Sequence, residues 1–193
     1  MPFTRFFAMF KALFGSSVNK DLAHALYGAV VARSRDPRFY SHFGVPDTLD
    51  GRFELLVMHL YVLHDRLKNE KRMIRAVSQY VFDAFIDDMD AALREAGVGD
   101  QTVPKKIAKM TKVFYGRVGA YEVALLSQDR VGALQEVIAR NLYPDGDAEC
   151  RAALLSVYMA GEVHNLADRD AEQIVQQADL YQGPLPERLT DDR

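Results

Sequence analysis

Cysteine is almost absent from this chain, and so are long apolar runs and any large excess of charge. The single cysteine, Cys150, excludes an intrachain disulfide and a zinc or iron-sulfur site built from several cysteines. No run approaches the roughly 18–20 uncharged apolar residues that a helix needs to cross a bilayer. The net charge of −3 and the pI near 6.0 argue against a DNA-binding protein, because phosphate contacts need concentrated cations.

The usual catalytic and metal-binding patterns are also missing. The chain contains neither G-x-S-x-G nor G-x-x-x-x-G-K, so a serine hydrolase and a P-loop enzyme are not expected. His59 and His64 are five residues apart and lack the i, i+4 spacing of zinc-binding helices. We therefore predict no enzymatic activity, no metal and no cofactor. A helical-bundle metalloenzyme is one alternative, and a ribosome- or RNA-associated scaffold is another.

Helical periodicity dominates what is present. Apolar residues recur every three or four positions, no alternating strand pattern occurs, and 49% of the 193 residues are hydrophobic. These features predict an all-α fold, a single-domain bundle of seven to eight helices. The central helix is expected at about 51–67, because apolar residues surround much of its girth. The preceding segment, RDPRFYSHFGVPDTLDGRF, combines prolines and glycines with aromatic residues, which is typical of an ordered loop.

Two neighbouring helices carry opposite charge. Within residues 79–100, Asp83, Asp87 and Asp90 form an acidic stripe opposite an apolar one, and Gly97 is predicted to end the helix. Residues 103–118 contain five cations and no acid. This contrast predicts a helix pair with charge-complementary edges. The cations also support the RNA alternative, through Lys105, Lys106, Lys109 and Lys112.

The N-terminal segment 1–18 is predicted to be an amphipathic helix. Its phenylalanines lie on one helical face among cations, a composition that fits either membrane contact or packing on the core. The membrane-contact candidates are Phe3, Phe6, Phe7, Phe10 and Phe14. Asn19 is predicted to cap the next helix, Asp47 or Asp50 to cap the central helix, and Asp129 a later one. A helical domain is expected over 19–181, followed by a flexible tail at 182–193.

Aromatic and sulfur-containing side chains are abundant. The chain holds eleven phenylalanines, nine tyrosines and seven methionines. Such side chains suit either a packed core or a groove that accepts an apolar partner of loosely defined shape.

Three motifs carry a resemblance to a known family. VPDTLDGRFELLVMHL (45–60), QYVFDAFIDDMDAALREAGVGD (79–100) and FYGRVGAY (114–121) closely resemble the ubiquinol-cytochrome c chaperone family. The matching positions are Pro46, Asp47, Gly51, Arg52, Phe53 and His59; Asp83, Asp88, Asp90, Leu93, Arg94, Gly97, Gly99 and Asp100; and Phe114, Tyr115, Gly116, Arg117 and Tyr121. The resemblance implies a mostly structural role for them. We expect Arg94 or Arg117 to pair with an aspartate and fix the loops.

The resemblance also implies a function. Members of the family support assembly of ubiquinol-cytochrome c reductase, respiratory complex III, and hold newly made or haem-free cytochrome b. It implies contact with the ribosome near its exit site, and it leaves the need for a small partner subunit open. The short N-terminus resembles a bacterial member, which predicts a cytoplasmic protein peripheral to the inner membrane; a eukaryotic member would lie on the matrix side of mitochondria. The candidate client-binding residues are Phe82, Phe85, Met89, Phe114, Tyr115 and Tyr121.

Overall fold

The structure is an assembly of helices. The computed structural model describes residues 3–144, 149–181 and 185, with side chains from residue 19 onward. Within these ranges eight helices and no strand occur, which confirms the predicted all-α fold. The helices are α1 (Phe3–Ser34), α2 (Pro37–Ser41), α3 (Leu49–Leu67), α4 (Arg72–Glu95), α5 (Val103–Leu126), α6 (Arg130–Leu142), α7 (Glu149–Ala167) and α8 (Ala171–Gln177).

Helix α3 is the centre of the fold. It contacts α1, α4, α5, α6 and α7. Every residue from Glu54 to Leu63 is buried, as expected from the apolar residues around its girth. The buried side chains of all the other helices join it in one hydrophobic core. A single core of this kind fits the size of the chain.

The segment before α3 is ordered, as predicted. It contains the short helix α2, whose Asp36 side chain caps the first turn by accepting a hydrogen bond from the Arg38 amide at 3.0 Å. Phe39 and Phe43 are buried beneath it, at 0% and 2% exposure. The prediction that Asp47 or Asp50 caps α3 is wrong. Thr48 caps this helix instead.

The prediction of a helix starting at Asn19 is also wrong. α1 runs without interruption from Phe3 to Ser34, because no proline occurs within it and its one helix-breaking stretch, Gly15 to Ser17, is short. The side chains of the five predicted membrane-contact phenylalanines lie outside the described residues. None of the described helices is long and apolar enough to span a bilayer.

The connection between α4 and α5 follows the sequence. Gly97 has a φ of 79°, and the amide of Val98 donates to the carbonyl of Leu93 at 3.0 Å, which closes the helix with a Schellman motif. The predicted charge pairing of the two helices is not present, since no ion pair joins a lysine of α5 to an aspartate of α4 among the described residues.

Two of the three C-terminal helices, α6 and α8, have side-chain caps. Asp129 caps α6, as predicted, by accepting from the Gly132 amide at 2.9 Å, and Asp170 caps α8 in the same way. The predicted flexible tail lies outside the described residues except for Leu185, which is buried at 2% exposure.

Candidate functional site

A groove opens between α3, α4 and α5. Its volume is about 210 Å³, and most of its lining is apolar. The lining residues are Leu60, Leu63, His64 and Lys68 from α3 and its end, Arg75, Ser78, Gln79, Val81 and Phe82 from α4, and Phe114, Tyr115 and Val118 from α5. Small-molecule sites usually measure about 300–1,000 Å³. The groove is therefore suited to one or two side chains of a larger partner.

Aromatic rings form one side of the groove. The ring centroid of Phe82 lies 5.0 Å from that of Phe114 and 5.6 Å from that of Tyr115, with the ring planes tilted by 48° and 40°. These are favourable arrangements for aromatic pairs. Tyr115 is 58% exposed, so one of the rings is open to solvent. The groove thus presents apolar surface to a partner without exposing the core.

The six candidate client-binding residues divide into three groups. Phe82, Phe114 and Tyr115 line the groove. Phe85 and Tyr121 have 0% exposure; Phe85 packs behind Phe82 and Phe114, with centroid distances of 6.0 and 5.6 Å. Both residues support the groove from within the core and present no surface, because they lie on the side of their helices that faces α3. Met89 is half-buried and lies outside the groove.

The groove has a cationic rim. The Lys68 ammonium lies 2.9 Å from an Asp65 carboxylate oxygen and 2.8 Å from one of Glu122, so this cation is already paired. Arg75 on α4 is exposed, and no ion pair to it occurs among the described residues. Burial lowers the pKa of His64, and the charge of Lys68 lowers it further. His64 therefore adds a neutral imidazole to the groove at neutral pH.

The first family motif shapes the turn into α3. The Thr48 hydroxyl accepts a hydrogen bond from the Gly51 amide at 3.1 Å, and Arg52 pairs with Asp47 at 2.6 Å. A Cβ atom on Gly51 would lie 2.1 Å from the carbonyl oxygen of Pro46, a distance that no side chain tolerates. Glycine is required here by the close approach of the backbone.

The second motif joins α4 to its surroundings. The Tyr27 hydroxyl donates to the Asp88 carboxylate at 2.7 Å, which links α1 to α4. Arg94 pairs with Asp90 and also with Asp100 in the loop after the helix. The prediction that Arg94 fixes a loop through an aspartate agrees with this geometry.

The third motif supplies an ion pair across the helices. Arg117 on α5 donates to both carboxylate oxygens of Glu54 on α3, at 2.7 and 2.8 Å. Its partner is thus a glutamate rather than an aspartate, and it connects helices rather than loops. The Glu54 side chain is only 8% exposed. The Tyr121 hydroxyl is buried with no hydrogen-bond partner among the described residues.

His59 belongs to a buried polar cluster. Its Nδ1 donates to the Leu55 carbonyl at 2.7 Å, and its Nε2 accepts from the Tyr158 hydroxyl at 3.0 Å. Arg33 donates to the same hydroxyl at 2.9 Å and lies 3.6 Å from the Glu162 carboxylate. Burial lowers the pKa of His59 to about 3, so the ring is neutral. The cluster ties α1, α3 and α7 together.

Several residues of the site were missed in the sequence. Leu60 and Leu63 line the groove from α3, and Lys68 lines it from the residue after this helix. Glu54 lies outside the groove and pairs with Arg117 of the third motif. Glu54 stands among apolar residues in a helix expected to be buried, and that position was the available signal that it needs a cationic partner. The described residues contain no group of three or more His, Cys, Asp or Glu side chains placed to hold a metal ion.

Comparison with known proteins settles the family. A family model described as ubiquinol-cytochrome C chaperone matches residues 41–179, a range that includes the groove and all three motifs. The chain belongs to the ubiquinol-cytochrome C chaperone family. The resemblance noted in the sequence is confirmed. A solved structure, that of the Cbp3 homolog from Brucella abortus, is 35% identical, with a TM-score of 0.80 over 93% of this chain and 97% of that one.

Curated relatives of this family member are named as assembly factors. Ubiquinol-cytochrome-c reductase complex assembly factor 1 of Xenopus laevis is 25% identical over 170 residues, which cover 88% of this chain and 84% of that protein. The proteins of the same name from Mus musculus and Homo sapiens are 23% and 22% identical. The chain spans only 57% and 56% of their lengths.

Proposed function

We propose that this family member supports assembly of ubiquinol-cytochrome c reductase by binding newly made or haem-free cytochrome b. The observation that carries the proposal is the apolar groove between α3, α4 and α5, where three of the residues chosen from the sequence lie together. The names of the relatives support a role in assembly of this complex, and the groove supplies a means of binding a client.

The groove favours a side-chain anchor over full enclosure of a client. A membrane helix in water exposes apolar area that is worth about 25 cal/mol for each Å² that can be buried. Phe82, Phe114 and Tyr115 offer such area at one place. Binding one or two apolar side chains would hold the client reversibly. Release can then follow when the client finds stronger contacts in its own complex.

The cationic rim would orient the client. Lys68 is already paired with Asp65 and Glu122, so Arg75 supplies the positive charge at the groove. Charges at the edge of a binding surface affect encounter rate and register more than affinity. An acidic or neutral flank next to the bound apolar segment is therefore favoured over a basic one.

Photo-crosslinking tests the proposal directly. A photoreactive amino acid at Tyr115 should capture cytochrome b in cells that synthesise it, because this side chain is open and lines the groove. The same amino acid at Leu49, which is 82% exposed on α3 but outside the groove, is the matched control. Capture only of unrelated abundant proteins, or equal capture from both positions, would contradict the proposal.

A blocking substitution gives a second test. Ser78→Phe places a ring in the groove, and Ala91→Phe places the same ring on an exposed position of α4 outside it. Ser78→Phe should reduce the amount of assembled complex III, and Ala91→Phe should not. Normal assembly in the Ser78→Phe strain, with the protein present at its usual level, would exclude the groove as the binding site.

Peripheral membrane contact is part of the same proposal. The sequence of residues 1–18 places phenylalanines on one face among cations, which suits the boundary of an anionic membrane. The full chain should float with anionic liposomes, and a chain lacking residues 1–15 should not. Equal flotation of both would assign membrane contact to another part of the protein.

A further inference from the structure

The outward side of α5 is an unpartnered surface with two different halves. Toward the N-terminus it carries cations, and toward the C-terminus it carries large apolar side chains. These are Lys105, Lys109 and Lys112, followed by Tyr115, Val123 and Leu126, with the last three 58%, 71% and 81% exposed. We call these six residues the outer face of α5; their spacing places them within one side of the helix.

The cations of the outer face have no partners in the fold. No ion pair to Lys105, Lys109 or Lys112 occurs in the part of the chain that the structure describes. The acids of α4 do not reach them, although α4 and α5 are neighbours. Three unpaired cations beside exposed apolar residues are the charge pattern of a surface that is completed by an acidic partner.

Two glycines interrupt the side chains of this face. Gly116 and Gly119 are exposed in the middle of α5, and a Cβ atom at either position would meet nothing within 4 Å. Neither has a positive φ that would favour glycine. Glycine weakens a helix relative to alanine. Neither the packing nor the backbone conformation requires glycine at these two positions. Absent side chains do, however, permit a second helix to approach closely.

We propose that an α-helix of another protein docks on the outer face of α5, with its acidic residues against the lysines and its apolar residues against Val123 and Leu126. The helix would cross α5 at Gly116 and Gly119. This goes beyond the binding of cytochrome b in the groove and does not depend on it, because the two surfaces share only Tyr115.

Other occupants fit the outer face less well. A second copy of the chain, paired antiparallel about the glycines, would set Lys112 near Val123, and a parallel pair would set lysines against lysines. The acid that either arrangement brings is Glu122, which already pairs with Lys68 of its own chain. A lipid surface would match the cations and apolar residues, but it gains nothing from missing Cβ atoms. An acidic helix accounts for all three features.

Crosslinking from Val123 tests the proposal in the full chain. A photoreactive amino acid at Val123 should capture one protein, attached through an acid-containing helical segment that peptide mass spectrometry identifies. Val157, which is 56% exposed on α7, is the matched control position. Lys109→Glu with Lys112→Glu should reduce the yield about tenfold, and lysines in place of the partner's acids should restore it.

The glycines give a readout that a purely structural role would not produce. Gly116→Ala and Gly119→Ala should each raise the melting temperature by about 2–4 °C, because alanine strengthens the helix. Both should nevertheless lower the crosslink yield. Gly28→Ala is the control, since this glycine is also exposed in a helix with nothing within 4 Å, on α1. It should raise the melting temperature and leave the yield unchanged.

Several results would overturn the proposal. They are the absence of any protein adduct, an adduct only with lipid, RNA or a second copy of this chain, and unchanged yield in both alanine variants. An adduct with cytochrome b at Val123 would also overturn it while supporting the proposed function. Conversely, loss of capture from Tyr115 with an intact adduct at Val123 would contradict the groove proposal alone.

Discussion

Removing Arg117 should destabilise the protein through the carboxylate it leaves behind. Arg117 donates three hydrogen bonds to Glu54, at 2.7, 2.8 and 3.1 Å, and the Glu54 side chain is 8% exposed while that of Arg117 is 27% exposed. Breaking a fully buried pair costs about 3–5 kcal/mol, since one charge stays buried without a partner. Partial exposure of the arginine places our expectation at the lower end, about 3 kcal/mol, for Arg117→Met.

A double-mutant cycle in chemical denaturation would measure this effect. Glu54→Gln removes the buried charge, so the double variant Glu54→Gln with Arg117→Met should be more stable than Arg117→Met alone. Arg94→Met is the matched control, because Arg94 also pairs with two carboxylates but is 46% exposed. Its effect should be far smaller, since exposed pairs are screened by solvent. If the two arginine variants were equally stable, burial would not determine the strength of these pairs.

Three further predictions concern buried polar groups. Tyr27→Phe removes the hydrogen bond to Asp88 and should lower the free energy of unfolding by about 1–2 kcal/mol in denaturant titration; an unchanged value would show that α1 and α4 do not depend on it. Tyr121→Phe should be neutral or stabilising by up to about 1 kcal/mol in the same measurement, because its hydroxyl has no partner among the described residues; a loss above that would reveal one. His59 has a pKa lowered to about 3, whereas the unfolded chain takes up this proton below about pH 6.5, so stability should fall as the pH drops from 6.5 toward 3. His59→Gln should weaken that fall, and parallel pH profiles of the two proteins would contradict the assignment.

Local signals in the sequence predicted much of the fold. Gly97 and Asp129 act where they were expected, because a left-handed residue and an N-cap are determined by neighbours in the chain. Asn19 does not act as an N-cap, because α1 continues through it and an N-cap can form only where a helix begins. Thr48 rather than Asp47 caps α3 for a similar local reason: its hydroxyl is the one that reaches Gly51.

The groove was predicted only in part, because it depends on which helices meet. Periodicity identified the apolar sides of α4 and α5, but it could not separate Phe82, which faces the groove, from Phe85, which faces the core. The lining from α3 was missed altogether, since a helix that is apolar all round gives no signal for the part that borders a groove. Likewise, the partner of Arg117 became evident only from the packing of α5 on α3.

The central position of α3 determines which parts of the sequence can vary and which cannot. This helix supplies Leu60 and Leu63 to the groove, Glu54 to the ion pair and His59 to the polar cluster, so replacements at different positions along it disturb three different sets of interactions. α4 and α5 each keep one side in solvent. We therefore expect relatives that recognise different partners to differ mainly in α4 and α5. In all of these relatives, α3 should tolerate few replacements.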